Sequence, residues 1–147
     1  MGDKENIIKY IDSYYESWFL INNIYHIWAN EHGIQENTLF TLYIINTVPN
    51  CTQSEICKKI FLPKQTVSDI LSGLEKNDYI VKETNMNDRR NKVIKFTKKG
   101  LLFATSLLEE LKQVEIEAFQ SMSKKQQENV VSSFSLLVNS LTKSFSK

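Results

Sequence analysis

Apolar residues recur at intervals of three and four along the N-terminal part of the chain, which predicts a long amphipathic helix. We place this helix from about Lys4 to Asn30, with Gly33 closing the helical region. A second apolar stripe on the same helix predicts that it packs against two neighbours. The main stripe comprises Ile7, Ile11, Tyr14, Trp18, Ile21, Tyr25 and Trp28, and the second comprises Ile8, Tyr15, Phe19, Ile24 and Ile27.

The C-terminal part of the chain shows the same helical spacing. Thr97 can cap a helix that runs to about Met122, and Ser123 with Gln126 forms a capping box for a last helix ending near Phe145. These end helices present more apolar surface than one small domain covers, which predicts a homodimer; the alternative is an intramolecular bundle. The residues assigned to the dimer contact are Ile7, Ile11, Tyr14, Val130, Phe134, Leu137 and Leu141.

The pattern in the middle of the chain predicts three shorter helices. The first covers residues 36–48 and is stopped by a proline, and a Thr-x-x-Glu capping box opens the second over residues 52–60. Residues 61–63 form a tight turn, and the third helix covers residues 64–77. In the first of these helices we expect five buried side chains, Leu39, Phe40, Leu42, Tyr43 and Ile44.

The helix over residues 64–77 has two distinct faces. The apolar stripe, which we expect to be buried, comprises Val67, Ile70, Leu71 and Leu74. The opposite stripe is polar with short side chains and comprises Gln65, Ser68, Asp69 and Ser72.

Two β-like runs, residues 79–83 and 93–96, flank a turn that holds the only two arginines of the chain, Arg89 and Arg90. A planar, always-charged guanidinium suits a narrow, electronegative minor groove, although the pair alone could be a solvated turn. The order of helix, turn, helix and basic hairpin predicts a winged-helix DNA-binding domain. The expected fold is therefore mainly α, with about six helices and a small β-hairpin wing.

The charge distribution agrees with this prediction. The chain of 147 residues has a net charge of +1, but the charge is unevenly placed. Residues 1–49 contain two lysines and six acidic residues, residues 50–100 contain eleven basic and six acidic residues, and residues 101–147 contain five of each. Positive charge is thus concentrated in the predicted DNA-binding segment, although a solvated face could give the same count.

The sequence predicts neither a membrane span nor an export signal. No apolar run reaches the length of about 18 residues that a span requires. Residues 1–5 lack the pattern of a signal peptide, and two cysteines do not make a disulfide framework. We therefore expect a cytoplasmic protein without a membrane contact.

Several motifs resemble those of the MarR family of bacterial and archaeal transcriptional regulators. Residues 52–56, Thr-Gln-Ser-Glu-Ile, are similar to the start of the family's first helix-turn-helix helix. Residues 66–68 followed by residues 74–76 are similar to its recognition helix. Residues 87–90 and 93–100 are similar to the wing and the entry to the next helix, and this last similarity is the most specific.

The resemblance covers about residues 5 to 145 and implies one MarR-like domain over residues 1–147. Residues 4–35 and 97–145 would supply the dimerisation helices, and residues 36–96 the winged helix-turn-helix. The family's members are symmetric homodimers that offer a recognition helix to the major groove and a wing to the flanking minor groove. They usually repress genes, and many release DNA in response to a small phenolic, anionic or oxidising signal.

These expectations give each polar residue of the interface a role. A Gln can pair bidentately with adenine, a Thr can contact a thymine methyl, and an Asp can accept from cytosine. Arg89 and Arg90 are expected to enter the minor groove, and Asp88 to orient one of them. Two copies should span a palindrome with half-sites about 10 bp apart. The groove face comprises Gln65, Thr66, Ser68, Asp69 and Ser72, and the candidates for phosphate contact are Thr52, Lys64, Lys92 and Lys95.

Four residues depart from the pattern of the family. Asp69 stands where a basic residue is common, and it is expected to lower the affinity for DNA if it faces phosphates. Asp78 stands where Gly usually forms a left-handed cap. Asn85 replaces an Asp, so an ion pair that braces the wing is expected to be missing. Gly73, inside the recognition helix, is expected to allow a close helix approach.

Aromatic residues are concentrated in residues 1–49, where the family often binds effectors between the first two helices and the winged helix. The functional interpretation is a pocket for a small phenolic or anionic effector, and the alternative is the dimer core. The resemblance places four residues nearest such a pocket, Trp18, His26, Phe40 and Tyr43.

Redox and metal switches are further hypotheses. Cys51 precedes a helix start that could lower its pKa, whereas Cys57 fits an inert core position. His26 and His32 lie close in sequence to two glutamates, but the last two helices contain no histidine to complete a metal site. We expect no metal and no cofactor.

Three classes of function compete. The leading hypothesis is a ligand-responsive DNA-binding repressor. The alternative is a winged-helix dimer that no longer binds DNA and docks other proteins, which Asp69 and the low net charge favour. An enzyme is not favoured, since the sequence lacks a Gly-rich phosphate loop, a nucleophile motif and paired catalytic histidines.

Overall fold

The N-terminal helix has close to its predicted limits. In the computed structural model, which describes residues 2–147, α1 covers Gly2–Glu31. The turn after it contains Gly33 with a φ of 74°, a left-handed conformation that glycine adopts without steric cost. Most of the residues in the two apolar stripes are exposed, for example Ile7 at 55% and Ile24 at 62%. The helix is confirmed, but its own chain leaves most of its apolar surface uncovered.

The chain divides after Ala104 into two compact units. In the first unit, α2 (Glu36–Thr47), α3 (Gln53–Ile60) and α4 (Lys64–Lys76) surround a common core. These limits match the prediction to within one residue. The completely buried large side chains of this core include Leu39, Leu42, Ile56, Val67 and Leu71.

Two residues of α2 were wrongly predicted as buried. Tyr43 is 44% exposed, and Phe40 is only half-buried. Both lie on the helical stripe that also includes Glu36 and Thr47, which faces away from the core. Because α2 contacts α1, α3 and α4, most of its circumference is buried, and only this stripe is left for polar and aromatic residues.

The predicted hairpin is confirmed. β1 (Ile80–Glu83) and β2 (Val93–Phe96) pair antiparallel, with Glu83 opposite Val93. The base of this wing is attached to the start of α3, because Ile94 N–H donates a 2.8 Å hydrogen bond to the Cys51 carbonyl and Thr52 forms a β-bridge with Val93. The position of the wing is thereby tied to the helix-turn-helix.

Thr97 joins the corner after α4 to the start of α5 (Lys98–Gln120). Its hydroxyl donates a 2.6 Å hydrogen bond to the Asp78 carbonyl and accepts one of 2.9 Å from Gly100 N–H. The predicted cap at Thr97 is therefore confirmed. Asp78 has a φ of 61°, the left-handed conformation expected for this position.

Two glycines of the first unit have opposite surroundings. A Cβ on Gly100 would collide with the carbonyl oxygen of Tyr79, so the close passage of these two backbone segments requires glycine. A Cβ on Gly73 would meet nothing within 4 Å. The expectation that Gly73 allows a close helix approach is therefore wrong, because the space beside it is open.

The second unit contains the remainder of α5 and the whole of α6 (Lys124–Phe145). The predicted capping box is confirmed: Ser123 Oγ accepts from Gln126 N–H at 3.2 Å, and Gln126 Oε1 accepts from Ser123 N–H at 2.9 Å. No residue of α6 is buried, and Phe134 is 55% exposed. Within residues 2–147, no helix combines the length and the apolar character needed to cross a membrane.

Candidate nucleic-acid interface

The polar face of α4 points away from the core, as predicted. Val67 and Leu71 anchor the opposite face, while Ile70 is only half-buried. The assigned groove face contains three exposed residues and two half-buried ones. The exposed residues are Gln65, Asp69 and Ser72, and the half-buried ones are Thr66 and Ser68.

Gln65 and Asp69 are joined on this face. Gln65 Nε2 donates a 2.8 Å hydrogen bond to Oδ1 of Asp69, one helical turn further on. The bond uses one of the two amide hydrogens of Gln65 and leaves the other hydrogen and Oε1 for an adenine edge. Asp69 can therefore orient the residue that is predicted to read a base, in addition to presenting a negative charge.

The starts of α3 and α4 are connected to each other. Gln53 Nε2 donates a 3.3 Å hydrogen bond to the Lys64 carbonyl. The Thr52 hydroxyl is already used as a helix cap, since it accepts from Glu55 N–H at 3.3 Å, while Thr52 N–H donates to the Glu55 carboxylate at 3.1 Å. The predicted capping box is confirmed, and the phosphate contact assigned to Thr52 stays a prediction.

A cationic cavity of about 500 Å³ lies between the helix-turn-helix and the wing. It brings together Lys64, Arg90 and Lys92, three residues that the sequence pointed to separately. Gln53 and Ser54 from the first turn of α3 also line it. Cations next to a helix N-terminus suit a phosphate, because both the ammonium groups and the free backbone N–H groups attract an anion.

Lys82 lines the same cavity and was not assigned a role from the sequence. It lies on β1 two residues after the buried Ile80, so both belong to the same face of the strand. The alternation of residues along the strand could have indicated this orientation. Lys95, by contrast, forms a 3.0 Å ion pair with Glu83, so part of its charge is already balanced.

The tip of the wing is ordered by Asp88. Its Oδ1 accepts from Arg90 N–H at 3.0 Å, and its Oδ2 accepts from Asn91 Nδ2 at 2.8 Å. The hydrogen bond from the Asn91 side chain, followed by that from Arg90 N–H, lowers the pKa of the Asp88 carboxyl. Asp88 was predicted to orient one of the arginines. Its contact with Arg90 is to the backbone N–H, so it shapes the turn that presents the arginines.

Arg89 and Arg90 are exposed at this tip. Asn85, where an ion-pairing Asp was expected, instead accepts from Asn87 N–H through Oδ1 at 3.1 Å. The tip is therefore held by short-range hydrogen bonds, and both guanidinium groups remain open to a ligand.

Cys51 contradicts the expectation of a lowered pKa. The side chain is buried, and this burial, with a further effect of the Glu55 charge, raises the pKa of the thiol to about 11. The start of α3 cannot offset the loss of hydration. Cys57 is half-buried and lines the cationic cavity.

The four residues assigned to an effector pocket are not gathered around one cavity among those described. Trp18 stacks on Tyr14 with ring centroids 5.9 Å apart and is 47% exposed, and Phe40 lies 5.6 Å from the ring of Tyr25. His26 Nδ1 lies 3.8 Å from the Glu36 carboxylate.

A larger cavity of about 570 Å³ lies elsewhere in the first unit. Its walls include His32, Asp69, Gly73, Tyr79 and Phe103. In residues 2–147, no group of three or more His, Cys, Asp or Glu side chains is arranged to hold a metal ion.

The segment that holds these residues is similar to known DNA-binding regulators. The family model described as MarR family matches residues 32–91, which contain α2, α3, α4 and the arginine pair. A MarR family regulator from Neisseria meningitidis has a similar structure with a TM-score of 0.80 and 26% sequence identity, over 92% of this chain and 96% of that chain. Streptococcus pneumoniae FabT, solved in complex with DNA, has a TM-score of 0.73 and 26% identity, over 92% and 97% of the two chains.

Residues 32–91 thus match the MarR family, and the fold of the chain is similar to that of MarR family regulators. Its fold of six helices and a two-stranded wing is the winged-helix fold of the family's regulators. A Staphylococcus aureus MarR solved with salicylate and kanamycin has the same fold, with a TM-score of 0.74 and 19% identity over 92% of this chain and 91% of that chain. A comparison with curated proteins gave no significant match.

Proposed function

We propose that this chain is a sequence-specific regulator of the MarR family that binds double-stranded DNA as a homodimer and has no enzymatic role. The observation that carries the proposal is the cationic cavity, because it joins Lys64 at the start of α4 to Lys82 and Lys92 of the wing. A phosphate seated there would fix α4 and the wing on the same stretch of backbone. The DNA complex of FabT, which shares the fold at 26% identity, supports this assignment.

In this proposal α4 reads the major groove through Gln65, Thr66, Ser68, Asp69 and Ser72. The hydrogen bond between Gln65 and Asp69 holds the amide in one orientation before DNA arrives, which lowers the entropy lost on binding. Arg89 and Arg90 enter the neighbouring minor groove, where A·T-rich narrowing raises the negative potential. Lys92 and Thr52 contact phosphates, and Lys95 does so only in exchange for its ion pair with Glu83.

The homodimer is supported by the apolar surface that each unit leaves exposed. In the first unit, Ile7 is 55% and Ile11 46% exposed on α1; in the second, Phe134 is 55% and Leu141 37% exposed on α6. A monomer in water rarely presents such stripes, because each exposed apolar Å² costs about 25 cal/mol. Tyr14, Val130 and Leu137 complete the proposed contact, and a two-fold dimer would read a palindrome.

We further propose that the regulator represses transcription and is released by a small phenolic or anionic effector. The salicylate complex of the Staphylococcus aureus MarR supports this class of ligand. The side chains proposed to contact the effector are Trp18, His26, Phe40 and Tyr43, and the dimer would have to bring them together. Equilibrium dialysis with salicylate tests this part: no binding at millimolar salicylate, or binding unchanged in Tyr43→Ala, would reject the assignment.

A second function, protein docking without DNA binding, is favoured by one observation. Asp69 places a carboxylate on the face that would meet DNA. The experiment that decides is a titration of the purified protein on the DNA upstream of its own gene at several salt concentrations, with footprinting. Salt-sensitive binding that protects a short palindrome supports the regulator, and no preference over random DNA supports the docking protein.

A further inference from the structure

The exposed side chain of Phe61 has no packing role in the folded chain that would explain its position. It lies in the turn between α3 and α4, is 87% exposed, and has a φ of 54°. Bulky residues rarely adopt this left-handed conformation, and glycine is the residue that most often ends a helix in this way. The strained backbone disfavours the folded chain relative to a glycine at this position, and the exposed ring gains almost no burial in return. The ring is therefore expected to contact something outside the chain.

The surroundings of Phe61 indicate the nature of that partner. Lys58 and Lys59, at the end of α3, and Lys64, at the start of α4, are all exposed. We call these three lysines and Phe61 the turn patch. An exposed ring with exposed lysines on both sides of it in the sequence fits the sugar–phosphate backbone of DNA, which offers an apolar deoxyribose edge between phosphates. It fits an apolar protein surface poorly, because three ammonium groups would lose hydration there without a partner.

We propose that the turn patch is an additional contact with duplex DNA, in which the Phe61 ring packs on a deoxyribose while the lysines pair with the adjacent phosphates. The contact rests on the proposed DNA-binding function and extends it to a surface outside the groove face and the wing. Lys64 belongs both to the turn patch and to the cationic cavity, so the patch continues the same phosphate track. Because the groove face begins at Gln65, a backbone contact at Phe61 would set the depth and angle of α4 in the groove.

Substitution of Phe61 by glycine distinguishes a contact with DNA from a contribution to the stability of the fold. Phe61→Gly relieves the strained backbone, so the midpoint of urea unfolding should rise. It also removes the ring, so the Kd of the full-length protein for the DNA upstream of its own gene should rise about tenfold at fixed salt, which corresponds to about 1.4 kcal/mol of apolar packing. The slope of log Kd against log salt should not change, because the ring is uncharged.

Two matched variants complete the experiment. Phe61→Tyr keeps the ring and should bind DNA as the unmodified protein does, whereas Lys59→Ala should lower the salt slope by about one per protomer. Unchanged affinity of a folded Phe61→Gly protein would overturn the proposal and leave the regulator function intact. Loss of self-association in sedimentation with unchanged DNA affinity would overturn it in favour of a contact with a second copy. Failure of the unmodified protein to prefer its upstream DNA would instead reject the proposed function itself.

Discussion

Gln65 donates a 2.8 Å hydrogen bond from Nε2 to Oδ1 of Asp69, one turn further along α4. Both side chains belong to the face assigned to the major groove. In the proposed complex Asp69 would therefore have two opposing effects: its charge would repel phosphates, and its hydrogen bond would orient the amide that reads a base. The repulsion acts on DNA of any sequence, whereas the oriented amide favours particular bases, so the two effects can be separated by experiment.

Asp69→Ala should raise affinity for random DNA and lower discrimination. Removal of the charge favours any duplex, while the freed Gln65 amide loses its fixed orientation and so pairs less selectively with adenine. We expect the ratio of Kd for random DNA to Kd for the upstream DNA to fall by roughly tenfold, the cost of about one base contact. Fluorescence anisotropy with both duplexes measures the ratio. Asp69→Asn, which keeps an acceptor for Gln65 but not the charge, is the matched control and should retain most of the discrimination.

Replacing Arg89 and Arg90 with alanine should weaken DNA binding and flatten its salt slope, by about one for each phosphate that is no longer neutralised. The arginines lie at the exposed tip of the wing, so sedimentation should show an unchanged assembly. The double lysine variant separates charge from shape. It should keep the slope but reduce the preference for A·T-rich flanks, because an ammonium lacks the planar donor group of arginine. Unchanged affinity of the alanine variant would remove the wing from the interface.

Two glycine substitutions should change stability in opposite directions. Gly73→Ala should raise the free energy of unfolding by about 1 kcal/mol, since the position is inside α4 and a Cβ there meets nothing within 4 Å. Gly100→Ala should lower it by about 1–3 kcal/mol, because the added Cβ would displace the Tyr79 carbonyl. Urea unfolding of both variants is the measurement. A destabilised Gly73→Ala protein would show that the space beside α4 is filled.

Cys51 should make stability fall at alkaline pH. Burial raises the pKa of its thiol from 9.0 to about 11, so the unfolded chain loses this proton before the folded chain does. The contribution to stability is complete below about pH 9 and is lost as pH rises towards 11. The difference in free energy of unfolding between the unmodified protein and Cys51→Ala should therefore shrink over this interval. A difference that is independent of pH would show that the thiol is hydrated.

The same burial should protect Cys51 from alkylation. At pH 8, iodoacetamide should modify Cys57 first, because it is half-buried whereas Cys51 is 1% exposed. Mass spectrometry of peptides after partial reaction gives the order. Preferential labelling of Cys51 in the folded protein would revive the hypothesis of a redox switch.

The limits of the helices and strands could be predicted from the sequence, because the signals that set them are local. Thr52 and Glu55 form the predicted capping box, as do Ser123 and Gln126, and each box involves only residues three apart. The spacing of Val67, Leu71 and Leu74 sufficed to predict which face of α4 is buried, since helical periodicity alone relates position to direction. The hairpin and its arginine pair followed in the same way.

Tertiary structure decided which of these residues meet and how water reaches them. Cys51 was expected to be activated by a nearby helix start, but the packing of the first unit buries it, and the loss of hydration outweighs that local effect. Lys82 and Lys64 line one cavity only because β1 pairs with β2, and β2 is attached to the start of α3. Phenylalanine is usually buried in a protein core. Phe61 is nevertheless exposed, because the left-handed turn that ends α3 directs its side chain outward. Exposure and proximity depend on every element packed around a residue, and sequence spacing describes only the element to which that residue belongs.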